Sequence, residues 1–261
     1  MTLRVNQRRM QPEQYCSILE QNGIDARLLR LETDGVNGQA VVAVRLDHAV
    51  SVEQLPGFTE GTVSVQDAGA QLAAYRLDVH NGQTVVDACA APGGKTGHIL
   101  EIADVHMTAL DHDSRRLGRV RENLRRLGLE AVTLCADAAQ LATWWDGKPV
   151  DRVLLDAPCS ASGVVKRHPD AKWLRREKDI AGFAAQQLRL LDALWKVTAC
   201  GGKLLYVTCS VFREENQDQA ERFLSRHADA RLAARHAANG GDLLLPSEEH
   251  DGFFHALFEK I

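Results

Sequence analysis

The chain has 261 residues, 45% of them apolar, and a formal net charge of −4. That length suits one sizeable α/β domain with a small appendage, and the negative balance excludes attraction of polyanions by bulk charge, so any nucleic-acid site has to be a local patch. No apolar stretch approaches the ~18 residues of a membrane span, and the opening MTLRVNQRRM lacks an apolar signal core, so the expectation is a cytoplasmic protein without membrane contact.

Residues 1–62 read as a separate small α+β unit. Leu3-Arg4-Val5 suits a strand, Pro12–Gln21 a helix closed by Asn22-Gly23, Ala26–Leu31 and Ala40–Arg45 strands around a turn at Asp34–Gly38, and Ser51–Leu55 a short helix. With Thr62–Val65 following, the order suits a split βαβ sandwich, the RRM-like arrangement. The main domain is placed at 63–261. It opens with a helix at Asp67–Leu77 and the turn Asn81-Gly82. Strands and helices then alternate: Thr84–Ala88, Val105–Leu110, Ala131–Cys135, Arg152–Leu155 and Lys203–Thr208 as strands, with helices at Lys95–Ala103, Ser114–Leu127 and within Lys178–Thr198. Arg213–His227 reads as the last helix and Phe253–Glu259 as the last strand. Such alternation predicts a mostly parallel sheet covered on both faces, with ligands gathered outside the carboxyl ends of the strands.

The stretch TVVDACAAPGGKTGH (84–98) reads as strand, Gly-rich turn and helix, a place where backbone N–H groups meet a nucleotide-sized ligand. A phosphate-binding loop needs glycine where Cys89 stands, and glycines at 93, 94 and 97 fit no frame of G-x-G-x-x-G. What remains is a nucleoside-type cofactor without a pyrophosphate, with Asp87 ending the first strand and Asp111 ending the second, where a carboxylate suits ribose hydroxyls.

Six cysteines, at 16, 89, 135, 159, 200 and 209, form no C-x-x-C pair and no metal spacing, which predicts reduced thiols and no metal. Cys16, Cys135 and Cys200 read as packing residues. Cys159 in DAPCSASG and Cys209 in TCS each follow a buried strand in a polar turn at the ligand edge, where a thiol is a candidate nucleophile. A nearby cation has to lower its pKa, and Lys95, Lys166, Arg167 and His168 are the candidates. Asp156 could cap its loop or meet a ring nitrogen; Asp137 could cap Ala138–Thr143 or accept from an adenine amino group. Basic residues cluster at Arg4, Arg8 and Arg9, along 115–126, and over 166–178, three local patches that favour a phosphate-backbone partner. Trp173 could stack on a base or pack in the core, while Trp144 and Trp145 read as packing.

Taken in order, DACAAPGGKT (87–96), DHD (111–113), CADA (135–138), DAPCSASG (156–163) and TCSVFREEN (208–216) resemble the RNA 5-methylcytosine methyltransferases of the NOP2/NSUN-like family. LRVN (3–6), VQDAGAQLAA (65–74) and DGFFHALFEK (251–260) resemble its bacterial branch acting on small-subunit (16S) ribosomal RNA. That resemblance implies a Rossmann-like class I methyltransferase sheet and S-adenosylmethionine as cofactor. The cofactor would be held by Cys89, Ala90, Ala91, Pro92, Gly93, Gly94 and Lys95, with Asp111 on the ribose, Asp137 at the adenine and Asp156 near the methionine end and the cytosine. It also implies Cys209 as nucleophile and Cys159 assisting release, on a single-stranded or loop cytosine, with the protein acting as a monomer. Chemistry by itself leaves the order of the two thiols open. Family members commonly carry a NusB-like helical domain ahead of LRVN, where this sequence begins, so the expectation is either a truncated form or RNA docking through less surface. Transfer RNA as substrate, a catalytically silent cofactor-binding scaffold and a thiol redox enzyme are the competing readings.

Overall fold

The structure, a computed structural model, describes residues 1–31, 40–170, 173, 175–233 and 240–261. The expected turn at Asp34–Gly38 lies outside them. The small unit starts with β1 (Thr2–Val5), α1 (Pro12–Gln21), β2 (Ala26–Leu31) and β3 (Val41–Leu46) and closes with β4 (Val63–Val65). Pro12 opens α1 with its preset φ, and Gly23 at φ 71° follows the Asn22 cap and reverses the chain. All pairings are antiparallel in the order β2-β3-β1-β4, the split βαβ sheet expected. Leu3, Val5, Tyr15, Leu19, Val44, Leu46 and Val63 form its core.

Two expectations for this unit are corrected. The second helix is one 3₁₀ turn, Val52–Gln54, because Pro56 and Gly57 follow too soon for an α-helix to propagate. The boundary after residue 62 falls three residues early, since Val63–Val65 pairs with β1 and completes the small sheet.

The main sheet runs β7-β6-β5-β8-β9-β12-β10, formed by β5 (Thr84–Ala88), β6 (His106–Asp111), β7 (Val132–Cys135), β8 (Val150–Asp156), β9 (Thr198–Thr208), β10 (Ala230–Leu232) and β12 (Phe253–Lys260), with β11 (Asp242–Leu244) added beside β12. β5 through β9 are parallel, whereas β12 returns antiparallel to β9. Strand order reverses at β5, which has β6 on one side and β8 on the other, the switch point where a crevice opens.

Side chains alternate between two cores. Leu154, Leu205 and Val207 face the layer of α2 (Ala68–Arg76), α3 (Gly94–Ile102) and α4 (Ser114–Leu127), while Val153, Leu155, Leu204 and Tyr206 face α5 (Glu177–Val197) and α6 (Gln217–Arg226). The stripe Leu117, Val120, Leu124 and Leu127 seats α4, whose ends are set by Asp113, accepting the Arg115 and Arg116 N–H groups, and by left-handed Gly128.

Other departures have local causes. The helix expected over 213–227 breaks at Asn216 (φ −121°, ψ −102°), whose side chain bonds Thr208 and the Ser210 carbonyl instead of joining a helix. The helix expected at 138–143 is a 3₁₀ turn, Leu141–Thr143. Cys135 and Cys200 are exposed, not packed, because β7 is an edge strand and Cys200 lies where the pairing of β9 with β8 is irregular, between Thr198 and Lys203. Strands β10 and β11, three residues each, carried no readable alternation. Among the described residues, no helix is long and apolar enough to cross a membrane.

Candidate active site

Immediately past β5 the backbone turns left-handed at Cys89 (φ 66°), a conformation that a residue with a side chain adopts only when its surroundings enforce it. Gly93 follows at φ 96°, and a Cβ there would stand 3.1 Å from Val120 Cα, so this turn lies on α4 because the residue is glycine. α3 begins at Gly94, leaving the N–H groups of its first turn without intrahelical acceptors. Buried Asp111 ties the turn to β6: its Oδ2 accepts the Ala91 N–H (3.2 Å) and its Oδ1 the Asp113 N–H (3.0 Å). Asp87 is 0% exposed. One of its oxygens accepts from Thr96 Oγ1 (2.6 Å), and the other has no partner among the described residues. Burial pushes this carboxyl up to about 7, the Thr96 bond opposing and neighbouring Asp156 adding to the rise.

A cavity of about 260 Å³ opens at these strand ends, lined by Cys89, Asp111, His112, Asp137, Ala138 and Pro158 among others. Its chemistry fits a nucleoside cofactor. Each Asp111 oxygen keeps acceptor capacity for a ribose hydroxyl, and Ala138 and Pro158 offer apolar wall to a ring. Asp137 accepts from the Ala139 N–H (3.0 Å), as a cap does, and takes two bonds from Arg189 (2.9 and 3.3 Å). Burial opposes its charge, but Arg189 and the Ala139 N–H outweigh that and hold it below the usual carboxylate range.

β8 and β9 are parallel neighbours with Asp156 opposite Val207, so the loops that leave them run side by side. Cys159 Sγ and Cys209 Sγ, 50 positions apart in sequence, stand 3.3 Å from each other. Gly163 makes this approach possible: its N–H donates to the Cys209 carbonyl (2.9 Å) and its carbonyl accepts the Gly252 N–H (2.9 Å). A Cβ on Gly163 would lie 2.4 Å from the Gly252 oxygen and 2.9 Å from the Cys209 oxygen. Ala161, in the same loop, is left-handed at φ 61°.

Of the four cations expected near the thiols, Lys95 is the one that acts on Cys209. It donates to Asp156 Oδ2 (2.6 Å), the two side chains being 13% and 32% exposed. Burial disfavours its charge, but Asp156 outweighs that and raises its pKa. Arg167 instead pairs with Asp251, and Lys166 reaches the Glu248 carbonyl. The two sulfurs are electrostatically unlike. Donation to Cys209 and burial push the Cys159 thiol well up, whereas accepting that bond pulls Cys209 down against burial and Asp156, with Lys95 assisting. Of the two thiols, Cys209 is therefore the one whose ionised form is favoured.

The basic patch of the small unit is corrected. Arg4 is buried against Glu101, Arg8 binds the Glu101 carbonyl and Asp104, and Arg9 binds the Glu60 and Leu127 carbonyls, so all three are spent on joining the two units. Arg126 likewise serves the Phe58 and Val63 carbonyls and Ser64. Arg115, Arg119 and Arg125 on α4 remain exposed, and Trp173 is 82% exposed and so not a core residue. Sequence reasoning missed Glu215. Its carboxylate accepts from Ser160 and Ser210, the residues that follow the two cysteines. An acidic residue in TCSVFREEN was visible, but no spacing showed it turning inward.

Fold and site together define a Rossmann-like methyltransferase sheet that carries a cofactor-type crevice and a pair of unlike thiols at adjacent strand ends. Residues 74–259 match the family described as 16S rRNA methyltransferase RsmB/F, and the chain belongs to that family. It is 48% identical over 262 residues to ribosomal RNA small subunit methyltransferase B of Vibrio cholerae, an alignment that takes in 100% of this chain and 58% of that protein. The chain thus spans less than two thirds of the relative's length. Among solved structures, PH0851 superposes with a TM-score of 0.89 at 31% identity over 100% of this chain and 59% of its own. NSun6 from Pyrococcus horikoshii, solved with SFG, shares the fold at a TM-score of 0.81 and 22% identity, covering 99% of this chain and 90% of its own.

Proposed function

We propose that this chain methylates carbon 5 of a cytosine in 16S ribosomal RNA, with S-adenosylmethionine as cofactor and a covalent bond from Cys209 to the base. The observation that carries this is the pair of sulfurs 3.3 Å apart, one poised as the anion, beside the Lys95–Asp156 pair and the crevice. Cytosine carbon 5 is a poor nucleophile, and addition of the Cys209 thiolate to carbon 6 pushes electron density onto it. When bound, the cofactor supplies an electrophilic methyl group on a sulfonium. Lys95 favours the thiolate before attack. Asp156, one oxygen held by Lys95, presents the other to the nitrogen edge of the ring and fixes it over Cys209.

Release needs a base for the carbon 5 proton. The hydrogen bond to Cys209 and burial both push the Cys159 thiol up and so favour its protonated form. Once Cys209 is a neutral thioether it no longer accepts that bond as a thiolate, so Cys159 can give its proton to water and take the one on carbon 5. The base has to be unstacked to reach two half-buried sulfurs, which favours single-stranded or loop RNA and the compartment where ribosomes assemble. The cofactor would lie along Cys89–Lys95 with Asp111 on the ribose, Asp137 at the adenine and Asp156 towards its methionine end. The exposed arginines of α4 would meet phosphates.

Transfer of a labelled methyl group to 16S ribosomal RNA tests this. Cys209→Ala abolishes transfer, and Cys159→Ala leaves a protein–RNA adduct that survives denaturation. Equal activity of both variants and the wild type would remove the covalent route.

A further inference from the structure

Glu215 sits at the end of the 3₁₀ turn Arg213–Glu215, 0% exposed. Its carboxylate receives four hydrogen bonds, from the Ser160 N–H (2.8 Å), the Ser160 hydroxyl (2.5 Å), the Ser210 hydroxyl (2.6 Å) and Gln187 Nε2 of α5 (3.2 Å). Its main-chain carbonyl accepts the Tyr206 hydroxyl (2.6 Å), which pins the turn to β9. All these donors are neutral. Several strong donors compensate a desolvated carboxylate, and each becomes fixed in direction by serving it. The Ser210 hydroxyl also accepts the Phe212 N–H (3.1 Å), and the Ser162 hydroxyl lies 3.1 Å away.

Two of the donating residues directly follow the two cysteines in sequence. One rigid acceptor therefore grips both thiol loops one residue away from each sulfur. We infer that Glu215 is the positioning residue of the thiol pair: through Ser160 and Ser210 it holds the loops after β8 and β9 in the register that puts the Cys159 sulfur within donating reach of the Cys209 sulfur. Its charge acts in the same direction. Glu215 adds to the rise of Cys159, while Lys95 acts on the other sulfur and lowers Cys209. Positioning concerns the free protein. Its effect on methyl transfer rests on the function proposed above.

Glu215→Gln tests the role with little change of volume, because a glutamine turns an amide N–H₂ towards donors where glutamate offers oxygen. The first readout is the pH profile of alkylation of each cysteine by iodoacetamide in the full chain, followed by peptide mass spectrometry. The second is kcat and KM for methyl transfer. Wild type alkylates at Cys209 in preference to Cys159. Glu215→Gln loses that preference, and kcat falls about 10²-fold, the scale on which a misplacement of about 1 Å is felt, while cofactor affinity is unchanged. Glu215→Asp, which keeps the charge, recovers part of both.

Ser160→Ala and Ser210→Ala each remove one hydroxyl and carry the test if Glu215→Gln does not fold; both shift the alkylation preference in the same direction. An unchanged preference in every variant that folds overturns the inference. Wild type that alkylates selectively, loses selectivity in Glu215→Gln and yet transfers no methyl group would leave Glu215 as positioning residue and sink the proposed reaction instead.

Discussion

Two sulfurs of one chemical type, both half-buried, are pushed in opposite directions because each faces different neighbours: the contact with Cys159 and the Lys95 charge lower Cys209, while the contact with Cys209 and burial raise Cys159. Such asymmetry depends on loop positions held to fractions of an ångström, and Gly163 is where that tolerance is tightest. Gly163→Ala forces its new methyl into the Cys209 and Gly252 carbonyls, so kcat for methyl transfer falls about 10²-fold with cofactor affinity intact. Parallel losses of kcat and cofactor binding would instead show general misfolding. Asp87 gives a pH signature. Its pKa rises from 3.8 to about 7 on folding, so in the window between these values the folded state binds more protons than the unfolded one, and the stability this group contributes is lost as pH rises. In Asp87→Asn that loss is absent. The Tm of the variant minus that of wild type therefore grows between about pH 4 and pH 7 and then levels off, and a difference independent of pH would count against the buried carboxyl.

At the scale of elements, the buried side chain of Arg4 fastens the small sheet to α3. Arg4 of β1 sends Nε and Nη2 to the two Glu101 oxygens of α3 (2.8 and 2.7 Å) and Nη1 to Gln66 Oε1 (2.6 Å) and to the Gly94 carbonyl (2.8 Å), at the first residue of α3. Desolvation offsets much of the attraction in such a pair, yet leaving one partner alone in the core is costly. Arg4→Ala and Glu101→Ala are each expected to destabilise by about 3–5 kcal/mol in urea unfolding, while the double replacement Arg4→Met with Glu101→Leu recovers most of that loss. Additive losses in the double variant would contradict the account. Because Arg4 touches Gly94 itself, Arg4→Ala also weakens cofactor binding, which ties the small unit to the crevice mechanically.

Across the whole molecule, a net charge of −4 leaves the proposed recognition of RNA to local surface, and the structure shows which arginines are exposed for it. Arg4, Arg8, Arg9 and Arg126 serve internal acceptors, so in the proposed complex the exposed arginines of α4 would carry more of the attraction than the sequence suggested. Arg115→Glu with Arg119→Glu is expected to weaken binding of 16S ribosomal RNA whatever the sequence context and to flatten the dependence of log Kd on log salt by about one for each phosphate no longer neutralised. An unchanged salt slope would move the RNA path off this helix.

What the sequence determined by itself is whatever depends on neighbours along the chain. Apolar alternation, caps such as Asp67 and Asp113, and the Gly93-Gly94 turn set the strands and helices, hence the sheet and the crevice at its switch point. The two cysteines were legible as strand-end thiols for the same reason. Tertiary structure decided what depends on distant segments meeting. It set the 3.3 Å approach of Cys159 to Cys209, the choice of Lys95 from four cations, the inward turn of Glu215 and the withdrawal of Arg4 from the surface. A side chain's partner across tens of residues leaves no periodicity to read, because burial and charge compensation are settled only when the layers close.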